Sequence, residues 1–150
     1  MANTEGRAVT SSLSPEHARS DMYLKAQPVA PRRVLVVDDE PLIRLFVARA
    51  LAESGYDVLQ AESAEQAMAL LATEGHSLCL LLSDVGLPGA SGAELVAHAN
   101  RHFPDLPTQL MSGTCRTWLA SEGVLAAYVD VLQKPFKLSE LLDKVERLAR

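Results

Sequence analysis

The sequence predicts an α/β fold: a doubly wound parallel sheet of five strands in the order 2-1-3-4-5. Three observations carry this. From Arg33 onward, short β-branched or leucine-rich runs alternate with segments of helical periodicity, a pattern that gives a parallel sheet covered by helices. Right-handed crossovers leave few topologies for five such strands, and 2-1-3-4-5 is a common one. Finally, four apolar runs each end in a polar residue able to do chemistry: 34–37 runs into Asp38 and Asp39, 80–82 through Ser83 into Asp84, 109–111 into Ser112, and 129–133 into Lys134. A parallel sheet brings these ends to one edge, where ligands bind.

The elements follow in order. Residues 34–37 form a short β-branched run, as expected of a strand buried on both faces. Residues 41–54 read as a helix whose apolar face holds Leu42, Leu45, Phe46 and Ala50, interrupted by Arg49, and Gly55 ends it. The second strand is 56–61. Ser63 caps a helix over 64–73, with Glu65 and Gln66 in its first turn, and Gly75 ends it. The third strand is 78–83, followed by a Gly/Pro loop over 86–91 and a helix over 92–102 that stops before Pro104. The fourth strand is 108–111, with a short helix over 116–122; the fifth is 128–132. The last helix, 138–149, is amphipathic, with Leu138, Leu141, Leu142, Val145 and Leu148 on one face.

Residues 1–31 differ in being rich in Ser, Pro, Ala and Thr without sustained apolar periodicity. They read as a flexible extension, either a disordered tail or a docking arm, with a short helix over 15–25 possible after Ser14-Pro15. The remaining 32–150 read as one domain, with no second domain expected after the final helix. At 48% apolar and 22% charged, the chain supports a real core. A net charge of −5 without a basic run argues against nucleic acid as a partner. No apolar stretch approaches the roughly 20 residues that span a bilayer, so no membrane partner is expected. Cys79 reads as a core residue and Cys115 as exposed. Two cysteines make no disulfide framework, and a cytoplasmic location is expected.

The pocket chemistry narrows the function. A dinucleotide or P-loop site needs a glycine-rich phosphate turn, and the first turn here is Asp38-Asp39-Glu40-Pro41. Two carboxylates about 5 Å apart repel by about 3 kcal/mol at an effective dielectric near 20, so three in one pocket call for raised pKa values or a cation. All-oxygen donors favour Mg²⁺, or Mn²⁺, over Zn²⁺. Lys134 beside these carboxylates suits an ion pair or a phosphoryl oxygen. Ser112 either caps the following turn or hydrogen-bonds a phosphoryl oxygen, with the Gly113 N–H beside it; glycine there lets a backbone donor come close.

These residues carry a resemblance. VLVVDDEP at 34–41, SDVGLPGASGAEL at 83–95, LMSG at 110–113 and LQKPF at 132–136 resemble the receiver domains of two-component response regulators, over about four-fifths of the chain. The resemblance implies a flavodoxin-like receiver fold with Asp84 as the phosphoacceptor. Asp39, Asp84 and the Gly86 carbonyl would bind Mg²⁺, with Asp38 acting mainly through a metal-bound water. Lys134 would pair with Asp84 and then with the phosphoryl group, and Ser112 would move inward onto it. The Lys134–Pro135 bond is often cis in such domains. The donor would be a histidine kinase or a histidine phosphotransfer protein. The product would signal through protein contacts, with a downstream target on the face made by the fourth helix, fifth strand and fifth helix. Such a protein is a signalling phosphoacceptor that assists its own phosphoryl transfer and dephosphorylation, rather than an enzyme.

Departures from the pattern mark what is individual here. Val131 stands where many receivers carry Tyr or Phe, and Tyr128 is too far from Lys134 to replace it. The LQKPF ending and the Ser-Gly pair resemble receivers associated with hybrid kinases, here as a stand-alone domain. Gly86 and Thr114, each two residues beyond a key side chain, are small. Trp118 is either a core residue or an exposed anchor. Alongside the phosphoacceptor reading stand a phosphate sink, a binding module independent of phosphorylation, and a Mg²⁺-dependent phosphohydrolase. The last normally needs a second Asp two residues after the nucleophile, a spacing that Asp38-Asp39-Glu40 lacks.

Overall fold

The computed structural model describes residues 30–126 and 129–149. Residues 31–150 form one compact unit. The helix expected over 15–25 and Tyr128 lie outside the described residues. The described elements are β1 (Arg33–Val37), α1 (Pro41–Glu53), β2 (Asp57–Ala61), α2 (Ala64–Glu74), a 3₁₀ turn (Gly75–Ser77), β3 (Leu78–Asp84), α3 (Gly92–His102), β4 (Thr108–Ser112), α4 (Arg116–Ser121), β5 (Val131–Gln133) and α5 (Leu138–Leu148). The sheet order is β2-β1-β3-β4-β5 with every pairing parallel, as the sequence predicts.

The apolar strands are apolar because both faces are covered. In β1, Val34 and Val36 pack with Leu80, Leu82, Met111, Leu141 and Val145, while Leu35 and Val37 pack on the other side with Leu81, Leu71 and Leu95. Val34, Leu35, Val36 and Val37 are fully buried, each stabilising the fold by about 1.5–3 kcal/mol relative to exposure. The β1–β3 register slips between Arg33 and Val34, which pair with Leu78 and Leu80. The skipped Cys79 is half-buried rather than a full core residue, and its thiol donates to the Arg33 carbonyl at 3.2 Å.

Helix α1 corrects one expectation. Leu42, Leu45 and Phe46 are exposed, at 83%, 53% and 52%, and the buried face is Val47, Ala48, Ala50 and Leu51, with Ile43 packed alongside. The helix carries two apolar stripes, and the one spaced 43-47-50-51 is the one the sheet covers. On α5, Leu141 and Val145 are buried as expected, but Leu138, in the first turn, is 44% exposed. Helix α2 stops at Glu74, yet Gly75 keeps a right-handed φ of −54° and leads into the 3₁₀ turn. Its lack of a side chain is used otherwise: a Cβ there would fall 2.4 Å from the Phe103 ring. Strand β5 is Val131–Gln133, and Val129 and Asp130, expected in it, lie outside: the Val129 N–H donates to the Ala126 carbonyl at 3.1 Å and does not join the ladder.

Candidate functional site

The sheet register assembles the site. Val37 pairs with Ser83, so Asp38 and Asp84 follow side by side; Ser112 pairs with Gln133, so Lys134 follows next to them. Parallel hydrogen bonding continues past the strands. The Asp38 N–H donates to the Ala61 carbonyl (3.1 Å), Val85 to Met111 (2.8 Å) and Lys134 to Ser112 (2.7 Å). The sheet therefore positions these residues, and mobile loops do not.

Asp38, Asp39 and Asp84 each bring a carboxylate oxygen within 4.8 Å of the others. Asp38 is wholly buried, Asp84 nearly so, and Asp39 exposed. The Lys134 ammonium lies 2.7 Å from Asp38 Oδ2 and 3.1 Å from Asp84 Oδ1, so it serves two carboxylates, with Asp38 the nearer. The second Asp38 oxygen accepts the Glu40 N–H at 3.0 Å. Both Asp38 oxygens are thus engaged within the protein, which leaves Asp39 and Asp84 to face the pocket opening.

Burial pushes the Asp84 carboxyl above its usual range. Lys134 opposes this by charge and hydrogen bond, and repulsion from Asp38 and Asp39 adds to it. Burial acts on Lys134 in the other sense, lowering it, but the hydrogen bond to Asp38 and the charges of Asp84 and Asp38 outweigh burial and raise it. The linkage is unfavourable for Asp84: the folded state holds its proton more tightly than the unfolded chain, so this group costs stability once pH rises above the unfolded value. For Lys134, the stabilisation is complete below its unfolded pKa and is lost as pH rises through the raised folded value.

The remaining expected residues fall as follows. Ser112 is buried, and its hydroxyl accepts the Thr114 N–H at 2.9 Å, the turn-capping arrangement. A Cβ on Gly113 would meet open space, so no close backbone approach demands glycine there. Gly86 is exposed, and a Cβ on it would lie 4.0 Å from Asp84 Oδ2. Trp118 is 53% exposed and is a surface residue. Val131 is half-buried against the small core under α4. The Lys134–Pro135 bond is cis.

Four supporting residues escaped the sequence reading. Arg44 donates to the Asp38 carbonyl at 2.8 Å and holds the acidic turn. Glu65 accepts the Ala90 N–H at 2.9 Å, tying the loop after β3 to α2. Gln133 donates to the Ser112 carbonyl at 3.1 Å, linking the ends of β4 and β5. Gly92 packs on the Asp84 backbone so closely that a Cβ would fall 1.9 Å from the Asp84 carbonyl oxygen. Only Gly92 left a signal, as a glycine directly after the helix-capping Ser91, where no turn explains it.

Residues 34–146 match the family model of the response regulator receiver domain. The chain belongs to the response regulator receiver family. It is 35% identical over 117 residues to the response regulator protein FleR of Pseudomonas aeruginosa, a match covering 78% of this chain but only 24% of FleR. It is 31% identical over 117 residues to the response regulator receiver protein CpdR of Brucella abortus, covering 78% of this chain and 96% of CpdR. Among solved structures, the receiver domain of the hybrid histidine kinase CckA superposes with a TM-score of 0.66 at 30% identity, covering 79% of this chain and 99% of that one. The chemotaxis response regulator CheY4 of Vibrio cholerae gives 0.68 at 26% identity, covering 79% and 98%. Receiver domains are signalling phosphoacceptors, and this receiver has an acidic cluster suited to a divalent cation. Among the described residues, no helix is long and apolar enough to cross a membrane.

The receiver's buried ion pair makes one stability prediction. Lys134→Met leaves Asp38 buried without its cation, and loss of a buried partner costs about 3–5 kcal/mol. Urea unfolding at neutral pH should show a loss in that range; a variant as stable as the wild type would mean that the pair contributes nothing.

Proposed function

We propose that this receiver accepts a phosphoryl group onto Asp84 from a phosphohistidine on a histidine kinase or phosphotransfer protein, in a two-component phosphorelay. The observation that carries this reading is the placement of Asp84: at the ligand-binding edge, 3.1 Å from the Lys134 ammonium and clustered with Asp38 and Asp39. An Asp84 oxygen forms the new bond to phosphorus as the bond from phosphorus to the donor imidazole nitrogen breaks, and the imidazole leaves with the electron pair. Lys134 is held charged by Asp38 and offsets negative charge on the transferring group. The Ser112 hydroxyl, which accepts the Thr114 N–H, donates its own proton to a phosphoryl oxygen, beside the Gly113 N–H, and so draws the loop after β4 inward.

Asp39, Asp84 and the Gly86 carbonyl would hold Mg²⁺, or Mn²⁺, with Asp38 reaching it through water. These hard oxygen donors and the strained carboxylate cluster fit such an ion. When bound, it supplies positive charge beside the phosphoryl oxygens. An apolar cleft of about 470 Å³ adjoins Lys134, lined in part by Ile43, Phe46, Pro135 and Phe136, and supports a protein donor. In this reading 32–150 is the receiver, 1–31 an extension, and the location cytoplasmic. Exposed Trp118 supports an output face on α4, β5 and α5. Val131 favours a second reading, a module whose output does not depend on phosphorylation, since it stands where many receivers carry Tyr or Phe.

Incubation with Mg²⁺ and acetyl phosphate, followed by intact mass measurement, tests the reading. One phosphoryl adduct is expected; an unmodified protein, under conditions that label another receiver, rejects it. Mg²⁺ should also raise the melting temperature, since a ligand at 100 times its Kd stabilises by about 2.7 kcal/mol. Asp39→Asn should lose most of that shift, and an undiminished shift would place the ion elsewhere.

A further inference from the structure

A cavity of about 380 Å³ is lined by Asp84, Gly86, Ser112 and Thr114 together with Trp118 and Val124. We infer that Trp118 shields the acyl phosphate on Asp84 from water and so sets its lifetime; this rests on the phosphoacceptor reading above.

Hydrolysis requires a water oxygen to bond to phosphorus as the bond from phosphorus to the Asp84 oxygen breaks. The carboxylate leaves with the electron pair, and a water proton ends on the inorganic phosphate. The attacking water must approach opposite the Asp84 oxygen, and it needs both space and a polar partner. Near the carboxylate this protein provides the space. A Cβ at Gly86 would meet nothing within 4 Å but Asp84 Oδ2, at 4.0 Å, and a Cβ at Gly113 would meet nothing at all. The same cavity is lined by the Trp118 indole and by Val124, which offer an approaching water apolar surface.

The placement of Trp118 is also tied to the phosphoryl group. Ser112 caps the turn through Thr114, and Cys115 is the residue just before α4, its carbonyl accepting the Leu119 N–H at 3.0 Å. Leu119 alone anchors the helix in the core, and the neighbouring Trp118 stays half exposed. When Ser112 turns to the phosphoryl oxygen, the turn and the start of α4 follow, carrying the indole toward the cavity it already lines. An aromatic wall on α4 thereby stands in for the aromatic side chain that Val131 lacks.

The test uses the full chain as wild type, Trp118→Ala and Trp118→Phe. Each is loaded with acetyl phosphate and Mg²⁺, the adduct is confirmed by intact mass, the donor is removed, and the decay is followed with Mg²⁺ retained. Because Trp118 is exposed, all three should fold, which thermal melting checks. The expected result is a several-fold faster decay for Trp118→Ala and a near wild-type decay for Trp118→Phe. Equal or slower decay in Trp118→Ala overturns the inference, as does a Phe variant that decays as fast as Ala. Failure of the wild type to form any adduct removes the phosphoacceptor reading and this one with it, whereas normal loading with unchanged decay rejects only the shielding role.

Discussion

Asp84→Asn is expected to abolish the phosphoryl adduct and, in the absence of Mg²⁺, to make the protein more stable. The first effect is a loss of the nucleophilic oxygen: an amide does not displace the donor imidazole, and no other carboxylate has Asp84's position. Asp38 is closed off by Lys134 and Glu40, and Asp39 is exposed, away from the ammonium's two close contacts. The second effect follows from burial. The Asp84 carboxyl is raised by desolvation and by the charges of Asp38 and Asp39, so ionising it costs the folded state more than the unfolded chain. Asparagine removes that cost, while Lys134 keeps its 2.7 Å partner Asp38. The gain in melting temperature should be seen at pH 7 and shrink as the pH falls toward the unfolded Asp value, where the wild-type group is protonated too. Mg²⁺ should narrow the gap by stabilising the wild type. An Asp84→Asn protein that still takes up label moves the acceptor elsewhere; one that melts below the wild type at pH 7 without Mg²⁺ contradicts the burial argument.

Gly92→Ala should destabilise the fold and damage the site together. Gly92 is the first residue of α3, and its N–H donates to the Val85 carbonyl at 2.9 Å. A Cβ would fall 1.9 Å from the Asp84 carbonyl oxygen and 2.8 Å from its carbonyl carbon. These are backbone atoms fixed in the sheet, so the clash is relieved only by moving α3 or the end of β3. Overpacking of this kind costs about 1–3 kcal/mol, occasionally more. Any shift of Asp84 against Lys134 also slows labelling by acetyl phosphate. Gly113→Ala is the stability control, because its Cβ meets open space and its φ is not positive; its unfolding free energy should change by no more than about 0.5 kcal/mol. Equal stability for the two variants would show that Asp84 and α3 adjust freely.

Much of the site was legible because parallel topology turns sequence into position. Once five strands are placed in the order 2-1-3-4-5, the residues after β1, β3, β4 and β5 must meet at one edge, and Asp38, Asp84, Ser112 and Lys134 do. The helix faces were less legible. On α1, Leu42, Leu45 and Phe46 made as good an apolar stripe as Ile43, Val47, Ala50 and Leu51, and periodicity does not say which of two stripes a sheet will cover. The supporting contacts were not legible, since Arg44, Glu65 and Gln133 act through side-chain hydrogen bonds to backbone groups.

By itself the sequence determined the fold class, the strand-end chemistry and the acidic, cation-suited character of the pocket. These depend on the period and order of residues along the chain. The tertiary structure alone decided that Lys134 lies nearer Asp38 than Asp84, that Ser112 is turned to its own loop, that Gly92 must lack a side chain, and that Trp118 lines the cavity leading to Asp84. Each is a matter of ångströms between groups that packing brings together, and hydrophobic periodicity carries no information about distances on that scale.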